Sequence, residues 1–228
     1  MLDELAISGF FLCRGAVAEP ALVRLLDACT PTAETPQSLH PSGATYAIRG
    51  LLWSSSKLRS ELEDSGVSTI ARAALGQTAF PVDAVFFDKE RDANWSVPGH
   101  QDRMMPVETE SVVPKTIRNG VAYTEPSQRT LGALVALRIH FDAVSSDGGA
   151  LEEVTGSHRL GVLGAEAIRG IPLGEYRPCV AARGDVLMLR PLLLHRSGRR
   201  VSSGHRRVLH VVYANEHPPE GPRWKGSG

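Results

Sequence analysis

The chain has 228 residues, with 25 basic and 25 acidic side chains and a formal net charge of zero. Hydrophobic residues make up 42% of the sequence, which supports a sizeable core and excludes a disordered chain. A neutral chain exerts no long-range attraction on polyanions, so we expect neither nucleic acid nor an anionic membrane as a partner.

Targeting and redox signals are absent from the sequence. Residues 1–5 are acidic and lack the basic start of a secretory signal, and no apolar run reaches the ~18 residues of a membrane span. Cys13, Cys29 and Cys179 are odd in number and form no CxxC pair, which is typical of idle thiols in a reducing compartment. We expect a cytoplasmic protein that forms a single domain over residues 1–228, and the sequence leaves its oligomeric state open.

The first third of the chain carries mainly helical and loop signals. Residues 9–12 form a short apolar run that predicts a strand, and Glu19-Pro20 predicts the start of a helix. Residues 30–45 are rich in Pro, Thr and Ser and predict a loop. Helical spacing of apolar residues predicts a second helix over residues 58–75, ending at Gly76.

The rest of the chain is rich in short strand signals. An apolar β-rich run covers residues 80–87, and turn residues separate four further apolar or alternating runs, at 131–141, 151–154, 185–195 and 207–213. This arrangement is typical of a sandwich or barrel. We therefore predict a mainly β protein with flanking helices, in which a helical part, 1–78, packs on a jelly-roll core, 79–215.

A long polar interval between the strand signals, residues 103–130, has little periodicity. Unstructured loops of this length in a compact domain are usually functional. We predict a mobile lid here, ordered by substrate; the alternative is an insertion that packs permanently. Lys115 and Arg118 lie in it and would meet an acidic substrate or simply water.

Three residues suggest a metal site. His100 and Asp102 lie two positions apart, so on an extended segment both side chains point to the same side. His195 ends a long apolar run far downstream. Two imidazoles and one carboxylate on one face of an octahedral ion leave the opposite face open for co-substrate and oxygen, as in non-haem Fe(II) oxygenases.

An arginine on the strand that follows His195 completes the pattern. Arg206 follows His195 at the start of the last apolar run, and a guanidinium there can form a bidentate pair with a carboxylate. 2-Oxoglutarate carries such a carboxylate at the end that lies away from the metal.

With these motifs, the sequence resembles the phytanoyl-CoA dioxygenase family of Fe(II)/2-oxoglutarate-dependent oxygenases. The resemblance covers about residues 80–215 and rests on five motifs in the family's order: His100-Gln101-Asp102, Leu137 to Asp142, Gly148 to Arg159, Gly184-Asp185 to Ser197, and Arg206-Arg207. It implies a double-stranded β-helix, the cupin-like jelly roll. It also implies a dioxygenase that uses Fe(II), 2-oxoglutarate and O2, and releases succinate and CO2 while hydroxylating an unactivated C–H bond.

The resemblance also implies residue roles. His100, Asp102 and His195 would bind iron, and Arg206 would bind the distal carboxylate of 2-oxoglutarate. Ser197 and Gln101 would add contacts to the co-substrate. Five further residues are candidates for substrate contacts because of their positions near these motifs: Arg138, His140, His210, Trp95 and Arg49. For Arg138 and His140, a solvent-facing strand face is the alternative.

The substrate and one functional alternative stay open. We expect a small-molecule substrate, such as an amino-acid derivative or a natural-product intermediate. A metal-binding jelly roll without oxygenase activity, serving as a sensor or binding module, is the alternative, although such a module would not need Arg206. A Zn(II) hydrolase on the same ligands has no nucleophile or HExxH motif to support it.

Overall fold

A computed structural model describes residues 1–31, 35, 37–39, 45–108, 115–118, 120–201, 204–219 and 221–225. The helices are α1 Leu2–Ser8, α2 Glu19–Ala28, α3 Leu51–Ser54, α4 Leu58–Asp64, α5 Val67–Leu75, α6 Gln128–Gly132 and α7 Ala165–Gly170. Short 3-10 helices cover Ser157–Leu160 and Leu173–Glu175. None of the helices in the described ranges has the length and apolar character needed to cross a membrane.

The strands form antiparallel sheets. They are β1 Phe10–Cys13, β2 Gln37–Leu39, β3 Thr45–Ile48, β4 Phe80–Lys89, β5 Val97–His100, β6 Met105–Pro106, β7 Thr116–Arg118, β8 Val121–Thr124, β9 Val135–His140, β10 Leu151–Glu153, β11 Arg177–Cys179, β12 Val186–Leu189, β13 His195–Ser197 and β14 Arg206–Ala214. A seven-stranded sheet has the order β1-β12-β9-β14-β4-β3-β2. A four-stranded sheet has the order β11-β10-β13-β5, and β6-β8-β7 form a third. The jelly-roll prediction is confirmed.

The seven-stranded sheet separates two interiors. On β14, Leu209, Val211 and Tyr213 point toward the helices and join a buried cluster with α2, α3, α4 and α5. The alternate residues of the same strand, including Val212, point toward the four-stranded sheet. Each leucine-sized side chain buried in such a cluster stabilises the fold by about 1.5–3 kcal/mol. The helices therefore stabilise the back of the sheet and leave its other face for a site.

Two predicted elements are each divided in the structure. The helix predicted over 58–75 is two helices, because Gly66 adopts φ 79°, a left-handed conformation that ends α4 before α5 begins. The strand predicted over 185–195 is two strands, β12 and β13, which belong to different sheets. The chain turns between them at Pro191, which cannot donate a ladder hydrogen bond.

Two predicted loops contain strands. Within 30–45, β2 pairs with β3, and both extend the seven-stranded sheet. Within 103–130, strands β6, β7 and β8 pair, and Met105 and Tyr123 are buried. The absence of structure predicted there was wrong, since short strands of two to four residues leave almost no periodic signal. The lid role stays a prediction, and residues 109–114 lie outside the described part of the chain.

The predicted division at residue 79 also stays a prediction. Strands from the N-terminal part enter the large sheet at both edges, with β1 pairing with β12 and β3 with β4.

Candidate metal and co-substrate site

Strand pairing brings the predicted metal ligands together. β5 and β13 are antiparallel neighbours, and His100 is the direct cross-strand partner of His195. Asp102 follows β5, and its backbone amide donates a 2.9 Å hydrogen bond to the carbonyl of Pro191. The turn before β13 thus fixes the backbone that carries the carboxylate.

The three side chains converge on one point. The Nε2 atom of His100 lies 3.5 Å from Asp102 Oδ1, and that of His195 lies 3.6 Å from Asp102 Oδ2. One candidate ligand atom from each residue lies within 4.8 Å of the other two. Ligands at ~2.1 Å on neighbouring octahedral positions are about 3 Å apart, so a small contraction would close the set around a first-row ion.

Hydrogen bonds set the tautomer of both imidazoles. His100 Nδ1 lies 3.0 Å from the carbonyl of Pro98, and His195 Nδ1 lies 2.8 Å from the carbonyl of Leu193. A carbonyl can only accept, so in each neutral ring Nδ1 carries the proton and Nε2 keeps its lone pair. Both lone pairs face the Asp102 carboxylate, which is the arrangement that a metal centre needs.

The protonation states suit a cation. Burial alone would raise the pKa of Asp102, but the imidazoles of His195, His210 and His100 around the carboxylate hold it well below its usual value. Burial lowers the pKa of His195 to about 4, so its ring is neutral near pH 7. Asp102 and His195 can therefore bind a cation without first losing protons. Burial lowers the pKa of His100, but the neighbouring Asp102 carboxylate outweighs burial and raises it, so metal binding there competes with protonation.

His210 approaches the same carboxylate in a different role. Its Nδ1 lies 3.3 Å from Nη1 of Arg138, which can only donate. The remaining nitrogen, Nε2, must then carry the proton of the neutral ring, and it lies 3.7 Å from Asp102 Oδ2. His210 thus directs an N–H group toward Asp102 and supports its orientation.

Arg206 faces a buried lysine across the sheet. Lys89 on β4 is its direct cross-strand partner, and Arg206 and Lys89 are 4% and 0% exposed. Arg206 Nε has no hydrogen-bond partner among the described residues. Burial, together with the nearby Arg138, lowers the pKa of Arg206 to about 9, so it still carries its charge near pH 7.

Lys89 connects this cationic pair to the metal strand. Its Nζ donates to Ser197 Oγ at 3.0 Å and to the carbonyl of Gly198 at 2.7 Å, and it lies 5.0 Å from the ring centroid of Trp95. Burial lowers the pKa of Lys89 to about 6. Ser197 accepts this hydrogen bond, so its own hydroxyl proton is free for another acceptor.

The metal triad, His210, Arg206 and Ser197 line one cavity of about 440 Å³, within the range of small-molecule sites, and Lys89 lies behind its wall. Its walls include ten of the predicted site residues: Arg49, Trp95, His100, Gln101, Asp102, Arg138, His195, Ser197, Arg206 and His210. Arg138 and His140 are 8% and 3% exposed, so the solvent-facing alternative for their strand was wrong.

Two residues predicted to contact substrate or co-substrate, His140 and Gln101, are not available to a ligand. His140 is not among the cavity walls; it is buried, and its pKa falls to about 4 because of burial and the nearby Arg138. The Gln101 amide reaches the cavity wall, but its Nε2 donates to the carbonyls of Gly161 and Leu192. Gln101 therefore holds the loops beside the metal ligands, and neither of its N–H groups is left for a co-substrate.

Sequence reasoning missed three polar residues of the cavity side: Lys89, Asp83 and Tyr123. Asp83 and Lys89 share the β4 parity of Val85; Asp83 lies inside the apolar run 80–87, and Lys89 follows that run in a charged stretch. Only the pairing of β4 with β14 shows that this parity faces the site. Tyr123 lies in the segment predicted as a loop.

A known family matches most of the chain. The family model described as phytanoyl-CoA dioxygenase (PhyH) matches residues 8–208 of the chain. A search of curated protein sequences found no match.

Solved structures share the fold at low sequence identity. AviO1 from Streptomyces viridochromogenes Tue57 is 22% identical, with a TM-score of 0.68 over 97% of this chain and 96% of that one. EctD from S. alaskensis, solved with 2-oxoglutarate and 5-hydroxyectoine, is 14% identical, with a TM-score of 0.70 over 93% and 74%. The epimerase SnoN, in complex with Fe3+, alpha ketoglutarate and nogalamycin RO, is 16% identical, with a TM-score of 0.67 over 93% and 81%. The chain belongs to the phytanoyl-CoA dioxygenase family and is an iron- and 2-oxoglutarate-dependent oxygenase-type enzyme.

Proposed function

We propose that His100, Asp102 and His195 bind Fe(II), and that the enzyme hydroxylates an unactivated C–H bond of a small molecule. The observation that carries this proposal is the pair of Nδ1–carbonyl hydrogen bonds, which leaves both Nε2 lone pairs directed at the Asp102 carboxylate. A third imidazole, His210, supports the carboxylate from behind through its N–H group.

The co-substrate would lie between the metal and the buried side chains of Arg206 and Lys89. We propose that Arg206 and Lys89 bind the distal carboxylate of 2-oxoglutarate, with Ser197 donating its hydroxyl proton. Arg206 is a buried cation, whereas Lys89 is neutral near pH 7 in the free protein and would take up a proton beside a bound carboxylate. In the described part of the chain neither side chain forms an ion pair with a carboxylate. A buried cation without a counter-charge is costly, and a dianionic ligand would offset that cost.

When bound, iron with 2-oxoglutarate and O2 supplies the oxidising chemistry. The residues of this chain orient the reactants and exclude water. Asp102 and the two imidazoles would hold the metal at the cavity wall, while Met105, Leu151 and Val85 give part of that wall an apolar surface. Such a lining keeps water away from a reactive centre.

A small molecule suits the cavity. Its volume of about 440 Å³ has room for 2-oxoglutarate and a compact substrate. The structural neighbours SnoN and EctD were solved with nogalamycin RO and 5-hydroxyectoine, respectively, which are small molecules.

The test is to replace the proposed co-substrate anchor and titrate both ligands. We expect Arg206→Ala to lower the affinity for 2-oxoglutarate by roughly 100-fold, since it removes a charge-assisted contact to the distal carboxylate and leaves that carboxylate without its partner. The affinity for iron should change little. Isothermal titration under anaerobic conditions would measure both affinities, and succinate release would measure turnover.

Arg207→Ala is the matched control. Arg207 is the next residue, but it points to the opposite face of β14 and binds Asp142 at 2.7 and 2.9 Å. Its replacement should leave 2-oxoglutarate affinity within about twofold, because its ion pair lies outside the cavity. Unchanged 2-oxoglutarate affinity in Arg206→Ala would contradict the assignment.

A further inference from the structure

The pairing of β4 with β14 separates two ends of the cavity. Along these two strands the cavity-facing pairs include, in order, Arg206–Lys89, His210–Val85 and Val212–Asp83. Side chains on one face recur about every 6.7 Å. His210 marks the level of the metal ligands, so Arg206 lies about 13 Å from it in one direction and Asp83 about 7 Å in the other. Asp83 thus stands on the side of the metal away from the co-substrate anchor.

Two buried polar atoms at the Asp83 end have no hydrogen-bond partner among the described residues. They are Asp83 Oδ1 and the hydroxyl of Tyr123, and both residues line the cavity. Asp83 is 6% exposed and Tyr123 is 3% exposed, so bulk water does not readily satisfy them. Burial raises the pKa of Asp83 to about 7, and the nearby Arg49 opposes that rise. Unsatisfied buried groups of this kind are rare unless a ligand completes them.

The cavity walls carry several positively charged side chains. Six arginines line the cavity: Arg49, Arg103, Arg118, Arg138, Arg196 and Arg206. Two of them are neutralised by carboxylates behind the wall, since Arg103 binds Glu125 and Arg196 binds Glu152, each at 2.7–2.8 Å.

Two of the remaining arginines belong to the Asp83 end. Arg49 interacts electrostatically with Asp83 and Tyr123 and makes a weak contact with the Tyr123 hydroxyl that falls short of a well-formed hydrogen bond. Arg118, which is exposed, interacts with Tyr123. Neither forms a salt bridge within 4.0 Å in the ranges that the structure describes. This end therefore carries two cations against one carboxylate, and its net charge is positive.

We propose that this end of the cavity binds an anionic substrate, with a carboxylate between Arg49 and Arg118 and a neighbouring hydroxyl or amino group that donates to Asp83. Tyr123 supports the second contact, because its hydroxyl can donate to the oxygen of a hydroxyl that itself donates to Asp83, or accept from an amino group. A cationic substrate would be repelled by the guanidinium groups, and an apolar one would leave Asp83 and Tyr123 unpaired. The inference rests on the proposed function, which places the metal between this subsite and Arg206.

Three small probes separate the charge from the donor. 3-Hydroxypropionate carries both groups, 3-hydroxypropionamide lacks the charge, and propionate lacks the donor. Their affinities would be measured by ligand-observed NMR on the full chain loaded with Fe(II) and saturating 2-oxoglutarate, without oxygen. We expect the hydroxy acid to bind about tenfold more tightly than either relative, since each lost contact involves a charged group.

Variants then assign the two contacts. Arg49→Gln and Arg118→Gln should abolish the preference for the acid over the amide, whereas Arg24→Gln on α2, behind the sheet, should keep it. Asp83→Asn and Tyr123→Phe, which conserve volume, should abolish the preference for the hydroxy acid over propionate. Equal binding of all three probes, no binding of any, or preferences that survive the four variants would overturn the proposal.

The same samples separate this inference from the proposed function. If 2-oxoglutarate binds and depends on Arg206 while the probes fail to discriminate, only the anionic subsite is wrong. If 2-oxoglutarate itself does not bind, the proposed function is wrong.

Discussion

The two faces of the seven-stranded sheet differ in what they contribute. Toward the helices, β14 presents Leu209, Val211 and Tyr213, which are fully buried. Toward the cavity, the same strand presents Arg206 and His210, which are also buried but are charged or titratable. Alternation of side chains lets one strand stabilise the fold with one face and carry the chemistry with the other.

The buried basic residues of the cavity face destabilise the folded protein in the absence of a ligand. Lys89, Arg138 and Arg206 are buried together, and their mutual repulsion lowers the pKa of Lys89 in addition to burial. Such groups persist where a bound ligand compensates them. Substitutions on the two faces should therefore separate stability from ligand binding.

The largest expected effect is on the cavity face, at the metal. His195→Ala should abolish iron-dependent succinate release, because it removes one of three ligands and the Nε2 lone pair directed at Asp102. Iron content after anaerobic reconstitution, measured by mass spectrometry, should fall in parallel. Full iron content and turnover in this variant would contradict the assigned ligand set.

Neighbouring residues of β9 give the sharpest contrast between the faces. Leu137 packs against the helices, and Leu137→Ala should lower the free energy of unfolding by about 2–5 kcal/mol through the cavity it creates. Arg138→Met should leave that free energy unchanged or raise it, since it removes a buried charge, yet it should impair turnover. Chemical denaturation and succinate release would be measured on both. Equal loss of stability in the two variants would break the distinction.

The lowered pKa of Lys89 should make the free energy of unfolding depend on pH. Its pKa is about 6 in the folded protein against 10.5 as the ordinary value. Between these values the unfolded chain binds the proton and the folded chain does not, so stability rises with pH across this window. The slope is at most about 1.4 kcal/mol per pH unit.

Lys89→Met should remove this contribution. Denaturation of the metal-free protein at pH 7.5, 8.25 and 9 would show it as a difference in slope between wild type and variant, in which other titrating groups cancel. These values lie above the pKa of about 7 for Asp83, whose titration has the opposite sign. Identical slopes would mean that Lys89 is charged in the folded protein.

The smallest effect is expected on the exposed surface of the helical layer. Arg24→Gln removes an ion pair with Glu61 at 2.9 Å, and the arginine side chain is 48% exposed. The unfolding free energy should change by less than about 0.5 kcal/mol, and turnover should not change. A larger loss would show that the helical layer depends on its surface charges.

The convergence of the three proposed metal ligands could be predicted from the sequence, because strong local signals encode it. The spacing of His100 and Asp102 and the apolar run before His195 are visible without a structure, and so is the alternation around Arg138. Asp83 was missed because the direction of a polar side chain within an apolar run depends on how its strand pairs. Lys89 was missed because it lies among charged residues just after that run, where the sequence gives no sign that β4 continues. The break at Gly66 was missed because apolar spacing continues across it, while the backbone conformation does not.

The position of β5 has a consequence for the order in which the molecule becomes rigid. β5 is the edge strand of the four-stranded sheet, where β13 is its one partner strand in the described ranges and α7 packs beside it. A metal bound to His100 and His195 would link these two strands directly, as a cross-link between distant parts of the chain does. Bound iron would therefore stabilise the pairing of β5 with β13 in addition to its role in the reaction, and its removal should free β5 first. Amide exchange in residues 97–102 should accelerate on chelation, while β9 and β14 in the middle of the large sheet stay protected.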